Sequence, residues 1–95
     1  MARIDALPVK WSQQALEELA DVINFIEQYN FPAAVSLHHK LGTAAQKISS
    51  IPHGFRLGRV PGTREMVINP NYLLVYQVTD HIRILTVLHA RRKYP

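Results

Sequence analysis

Apolar residues recur along this chain with two different periods, and the change of period divides it. Over QQALEELADVINFIEQY, which follows Ser12, Leu16, Leu19, Ile23 and Ile26 return at helical spacing. Ala15, Val22 and Tyr29 widen that stripe, while Glu17, Glu18, Asp21 and Glu27 occupy the other faces. Ser12 is placed to cap this helix. Asn30-Phe31-Pro32 ends it, because the proline disfavours helical geometry at Phe31 and pre-sets the first turn of a new helix. The second helix, from about Pro32 to Ser49, shows Ala34, Leu37, Leu41, Ala44 or Ala45, and Ile48 on one side. Two amphipathic helices so briefly connected form an antiparallel hairpin, and each needs an apolar surface to lie on.

Strand-length segments supply that surface. Residues 4–11 (IDALPVKW) alternate loosely, with Leu7, Val9 and Trp11 to one side. Pro8 cannot donate to a ladder, so this segment is expected at a sheet edge or to begin at the proline. After the Pro52-His53-Gly54 break come Arg56–Val60, then Pro61-Gly62, a pair suited to the centre of a type II turn. Arg64–Asn69, Tyr72–Val78 and Ile82–His89 follow as strands, joined by Asn69-Pro70-Asn71 and Thr79-Asp80-His81. Tyr72–Val78 is largely apolar on both faces and is therefore expected to be central. The reading is an α+β fold, β-α-α-β-β-β, an antiparallel sheet with a helical hairpin packed on one face. Ninety-five residues suit one domain over 1–95.

Charge is distributed unevenly over this plan. Residues 1–50 carry four basic and five acidic side chains, net −1, whereas residues 51–95 carry seven basic against Glu65 and Asp80, net +5. The surplus lies on the strand-rich half, which suggests a surface that meets something anionic. The absence of cysteine excludes disulfides, thiolate metal sites and cysteine nucleophiles. No apolar run approaches the roughly 18 residues that span a bilayer, and MARIDALP lacks a signal-peptide core. A cytoplasmic protein without membrane attachment is expected. His38 and His39 are adjacent, about 100° apart on a helix, with no partner ligand at helical spacing, so no metal site or cofactor is expected.

The order of these elements, together with PGTREMVI, NYLLVYQV and ILTVLHARRKYP, resembles the RelE/ParE superfamily of toxins from bacterial type II toxin–antitoxin modules. The resemblance spans nearly the whole chain; the helical half matches in pattern and residues 58–95 match in words. It implies a cognate antitoxin as partner and one of two activities. ParE-like members bind and poison DNA gyrase without being enzymes. RelE-like members enter the ribosomal A site and cut mRNA. The cleaving members carry an arginine in the central strand just after its first tyrosine, where this chain has Leu73. Of a lysine pair on the preceding strand, one position is Arg64 and the other the apolar Met66, while Arg91 matches an arginine beyond the last strand. The further tyrosine of some cleaving members would fall past Pro95. These departures favour the ParE-like growth inhibitor over the mRNA endonuclease.

A metal-independent cut needs an acid, a base and cations for the developing phosphorane charge. On that alternative His89, Arg64 and Arg91 are the candidate catalytic residues, with His89 suited by its intrinsic pKa. Arg83, His89 and Arg91 have the same parity and are expected on one face if the strand runs that far. Arg56, Arg59, Arg83, Arg92, Lys93 and Tyr94 are the candidates for binding a target or an antitoxin. Glu17 and Glu18 are read as facing solvent or a neighbour, with no cleft between them.

Overall fold

A computed structural model describes residues 6–90 and arranges them as β1 (Val9–Trp11), α1 (Gln13–Tyr29), α2 (Phe31–Ser50), β2 (Arg64–Asn69), β3 (Tyr72–Val78) and β4 (Ile82–His89). Both helix starts are made by side chains. The Ser12 Oγ accepts from the Ala15 N–H at 3.0 Å, and the Asn30 Oδ1 accepts from the Ala33 N–H at 3.1 Å. Asn30 thus closes α1 and opens α2, with Pro32 in the first turn, where its missing N–H costs nothing.

The strands lie in the order β1-β4-β3-β2. Tight turns make β2–β3 and β3–β4 antiparallel, as expected, and β3 is internal. β1 pairs with β4 in parallel, so the sheet is mixed rather than wholly antiparallel. Short turns force antiparallel neighbours, whereas β1 is separated from β4 by both helices and two strands and is free to run alongside it. β1 begins directly after Pro8 and lies at an edge, consistent with that proline's missing donor.

The helical hairpin covers one face of the sheet. Ala15, Leu37, Leu41, Ala44 and Ile48 are buried with Leu74, Tyr76, Ile82, Ile84 and Val87, and Leu19, Val22, Ile23, Ile26 and Trp11 pack around them. The α2 stripe is the one read from the sequence. The α1 stripe holds at Ala15, Leu19, Val22, Ile23 and Ile26 but not at Leu16 and Tyr29, which are 47% and 75% exposed. On the opposite side of the sheet Leu73 and Val75 are also buried, as a strand apolar on both faces requires.

β4 is not a regular strand. Tyr76 pairs with Ile84 and Val75 with Thr86, leaving Leu85 as the extra residue of a bulge. The buried positions accordingly step from Ile82 and Ile84 to Val87. Beyond Ile84 the outer edge of β4 has lost β1, and α1 takes its place. The Ser12 hydroxyl donates to the Leu85 carbonyl at 2.9 Å. The Glu18 Oε1 accepts from the Thr86 hydroxyl at 2.6 Å and from the Val87 N–H at 3.1 Å. A helix carboxylate thus satisfies a strand edge that would otherwise be open to pairing.

Candidate functional site

Among the described residues, Arg56, Arg59 and Arg64 stand in or beside the segment that joins α2 to β2. Val60-Pro61-Gly62-Thr63 forms the expected turn, with the Thr63 N–H on the Val60 carbonyl and Gly62 at φ 83°, a conformation that glycine supplies without strain. The segment before the turn folds back on β2. Gly58 N–H meets the Thr63 carbonyl at 2.8 Å, Glu65 N–H meets the Arg56 carbonyl at 3.0 Å, and Leu57 bridges Arg64. Residues 56–60 form this single bridge and no continuous strand. Gly58 is required by close approach, since a β-carbon there would lie 2.1 Å from the Thr63 Oγ1.

Glu65 is the hub of this loop. Its carboxylate is buried in the face of the sheet away from the helices, opposite Val75. Oε1 accepts from Arg56 Nε at 3.0 Å and lies 2.9 Å from an Arg56 terminal nitrogen. Oε2 accepts from the Arg59 backbone N–H at 3.3 Å and stands 3.6 Å from the Arg59 Nε. The two guanidinium groups remain about half exposed while the acid between them is 2% exposed. The sequence showed Arg56, Arg59 and Glu65 as charges; it did not show that the acid ties the two arginines to one spot.

The other candidates divide between this end of the sheet and the far one. Arg83 is exposed, opposite Gln77, on the same helix-free face and toward the same end as Arg56 and Arg59. Arg64 donates to the Phe55 carbonyl at 2.8 Å and more weakly to that of His53, so it braces the loop backbone. Its charge opposes the effect of burial on Tyr76, whose phenol burial nevertheless holds above its ordinary pKa. His89 stands elsewhere. It pairs with Tyr72, ring to ring at 5.4 Å in an edge-on arrangement, and lines a cavity of about 270 Å3 with Glu18, Asp21, Val22 and Val87.

The expected common face of Arg83 and His89 is therefore not formed. The Leu85 bulge reverses the alternation, leaving Arg83 on the helix-free face and His89 on the helix side with Tyr72. Arg64 and His89 pair with Tyr76 and Tyr72, four residues apart along β3 or about 13 Å, before the separation across strands is counted. Glu18, read as facing solvent or a neighbour without a cleft, lines the His89 cavity and caps β4; its partners lie 68 and 69 residues away in sequence, beyond any local signal. Arg91, Arg92, Lys93 and Tyr94 lie outside the described residues. Among the described residues no cluster of His, Cys, Asp and Glu could hold a metal ion, and no helix is long and apolar enough to cross a membrane.

A helical hairpin on a small mixed sheet is the fold that the sequence resemblance implied. Residues 9–94 match the family described as the ParE toxin of the type II toxin–antitoxin system parDE, and the chain belongs to that family. A candidate toxin of Sinorhizobium fredii, Y4kP, is 32% identical over 88 residues, 92% of each chain. Toxin RelE2 of Caulobacter vibrioides is 33% identical over 85 residues, covering 88% of this chain and 96% of its own. Among solved structures, the chromosomal ParDE system of P. aeruginosa superposes with a TM-score of 0.77 at 17% identity, covering 90% of this chain and 97% of that one. The RelBE2 toxin–antitoxin complex of Mycobacterium tuberculosis gives 0.63 at 17% identity, covering 94% and 97%. At such identities these structures speak for the fold.

Proposed function

We propose that this toxin acts as a ParE-like inhibitor of DNA gyrase, binding its target rather than cutting RNA, in the cytoplasm and under the control of an acidic antitoxin. The observation that carries this reading is the separation of Arg64 from His89. An acid or base and the cations that stabilise a phosphorane must converge on one phosphate to within hydrogen-bond reach. Here His89 stands at the far end of the sheet on the helix side, while Arg56, Arg59 and Arg83 share the opposite face. Leu73, in the position where cleaving relatives carry an arginine, is apolar and 2% exposed. What the helix-free face offers is a set of positioned cations, suited to an anionic protein surface. The family match and the identity to Y4kP and RelE2 are consistent with either activity; the geometry favours the binder.

The deciding experiment tests the purified protein side by side for inhibition of gyrase supercoiling and for mRNA cleavage in a translating extract. Supercoiling is expected to be inhibited, with no cleavage even when ribosomes are present. His89→Ala should leave the inhibition within about twofold of wild type, whereas losing a positioned acid or base would reduce cleavage by roughly 10²-fold or more. Efficient cleavage by the wild-type protein, abolished by His89→Ala, would sink the gyrase reading in favour of the endonuclease.

A further inference from the structure

β1 and β4 set two cations side by side on the helix-free face. Their parallel register places Lys10 against Arg83, one strand spacing or about 4.8 Å away at the backbone. Val9 and Trp11 pack on the core, so alternation turns Lys10 to the opposite face, where Arg83 stands beside Gln77. Both cationic side chains are exposed. Among the described residues neither makes a hydrogen bond or an ion pair. Glu65 is taken by Arg56 and Arg59, and Asp80, in the turn that follows β3, is bonded to His81.

Like charges directly across a ladder are destabilising. A pair held in register with no carboxylate beside it breaks local consistency, and such breaks are expected where function uses the residues. Guarding a sheet edge against foreign strands would account for Lys10 on β1 but not for Arg83 on the internal β4. Nor does the pair stand alone. Glu65, which holds Arg56 and Arg59, lies on the same face, two strand spacings (about 10 Å) across the sheet from Arg83 and two residues (about 7 Å) along it. The two cationic groups are thus roughly 12 Å apart at the backbone, with Val75 and Gln77 between them.

We infer that Lys10 and Arg83 form a second anchor for the target protein, gripping one acidic group while Arg56 and Arg59 grip another roughly 12 Å away. That the target is gyrase rests on the function proposed above; that it is held at two points, with Lys10 in one of them, rests on the register of β1, β4 and β3. The face also carries an apolar row, since Val67 pairs with Leu73 and Leu73 with Leu88, and Val67 is 49% exposed. An acidic protein surface has apolar side chains to offer that row. A nucleic-acid backbone would meet the cations and leave the row unused.

The test measures binding of the full chain to purified gyrase, with and without DNA, together with the melting temperature of the free protein, for wild type, Lys10→Gln, Arg83→Gln and Lys40→Gln. Lys10→Gln and Arg83→Gln are each expected to weaken binding about tenfold, with or without DNA, and the loss should shrink at high salt. Lys40→Gln removes the same charge from an exposed position on α2 and should bind within about twofold of wild type. Relief of the like-charge contact should raise the melting temperature of Lys10→Gln by about 1–4 °C, so that one change strengthens the fold and weakens the complex. Binding by Lys10→Gln and Arg83→Gln within about twofold of wild type would overturn the second anchor and leave the gyrase reading intact. So would a loss in Lys10→Gln matched by Lys40→Gln, which would mark an effect of overall charge. A lower melting temperature in Lys10→Gln would show that the pair is compensated within the fold and would remove the premise. A loss seen only when DNA is present would overturn the protein contact in favour of a nucleic-acid one. Failure of the wild-type chain to bind gyrase at all would overturn both the anchor and the function it rests on.

Discussion

The helix-covered face of the sheet and the loop before β2 are held by opposite means. Under the helices, Leu37, Leu41, Ala44 and Ile48 meet Leu74, Tyr76, Ile84 and Val87 in a cluster where each residue has several apolar neighbours. Its stability is spread over many contacts of the same kind. The loop has little of this: Leu57 is 73% exposed and Val60 37%. It is fixed by main-chain bonds to β2 and by one buried carboxylate that draws in Arg56 and Arg59. The first region sets the shape of the molecule; the second sets where its cations stand. Substitutions in the two should therefore separate stability from activity.

The largest effect is expected in the core. Leu41 is 2% exposed, and Leu41→Ala should cost on the order of 2–5 kcal/mol in urea unfolding. Protein that remains folded should inhibit its target with unchanged potency, because the open face is untouched. A cost below about 0.5 kcal/mol would show that α2 is not held to the sheet through this residue. Glu65→Ala should reverse the proportions. The arginines it releases are half exposed and can turn to water, so the stability cost should be about 1–3 kcal/mol, chiefly from lost hydrogen bonds. Inhibition should fall by roughly tenfold or more, as two cations lose their fixed position and binding loses preorganisation. Equal losses of stability and potency in both variants would erase the distinction between the regions.

That distinction also marks what the sequence could and could not disclose. Ser12 as a cap, the helix break at Asn30-Phe31-Pro32, the α2 stripe from Ala34 to Ile48, the Pro61-Gly62 turn and the doubly apolar β3 are local patterns, each fixed by near neighbours in the chain. The α1 stripe was legible in its middle, where Ala15, Leu19, Val22, Ile23 and Ile26 meet the core, but Leu16 and Tyr29 fit the spacing and are left exposed by the packing. The bulge at Leu85 went unread although the apolar pair Ile84-Leu85 interrupts the alternation of Ile82–His89, and that one extra residue moved His89 to the other face from Arg83. Glu18 on β4 and Glu65 under its arginines were invisible for a related reason. A carboxylate on a helix or strand looks solvated until the fold shows which N–H groups and cations it meets. The sequence could name candidate residues by type, while which of them the fold brings together depended on long-range register.

The smallest effect should appear at the boundary between the two regions, where Tyr76 reaches from the core to the loop. Its ring is buried with the helices, and its hydroxyl donates to the Pro52 carbonyl at 2.9 Å, at the start of the loop segment. Tyr76→Phe keeps the apolar contacts and removes only this bond, so a cost of about 1 kcal/mol is expected at neutral pH. The pH dependence gives a second, sharper readout. Burial favours the neutral phenol and holds its pKa above 10.0, with the nearby Arg64 charge working against that rise. A folded-state pKa above the unfolded one contributes stability that is fully present below about 10, the unfolded value, and is lost as pH rises through the folded one. Wild-type stability should accordingly decline as pH is raised above about 10, and the decline should be shallower in Tyr76→Phe, which has no proton to lose there. Urea unfolding of both proteins from neutral pH to about pH 11 measures the two slopes. Parallel slopes would assign the alkaline loss to other groups and would leave Tyr76 as a core residue whose hydroxyl does not couple the helix-covered face to the loop.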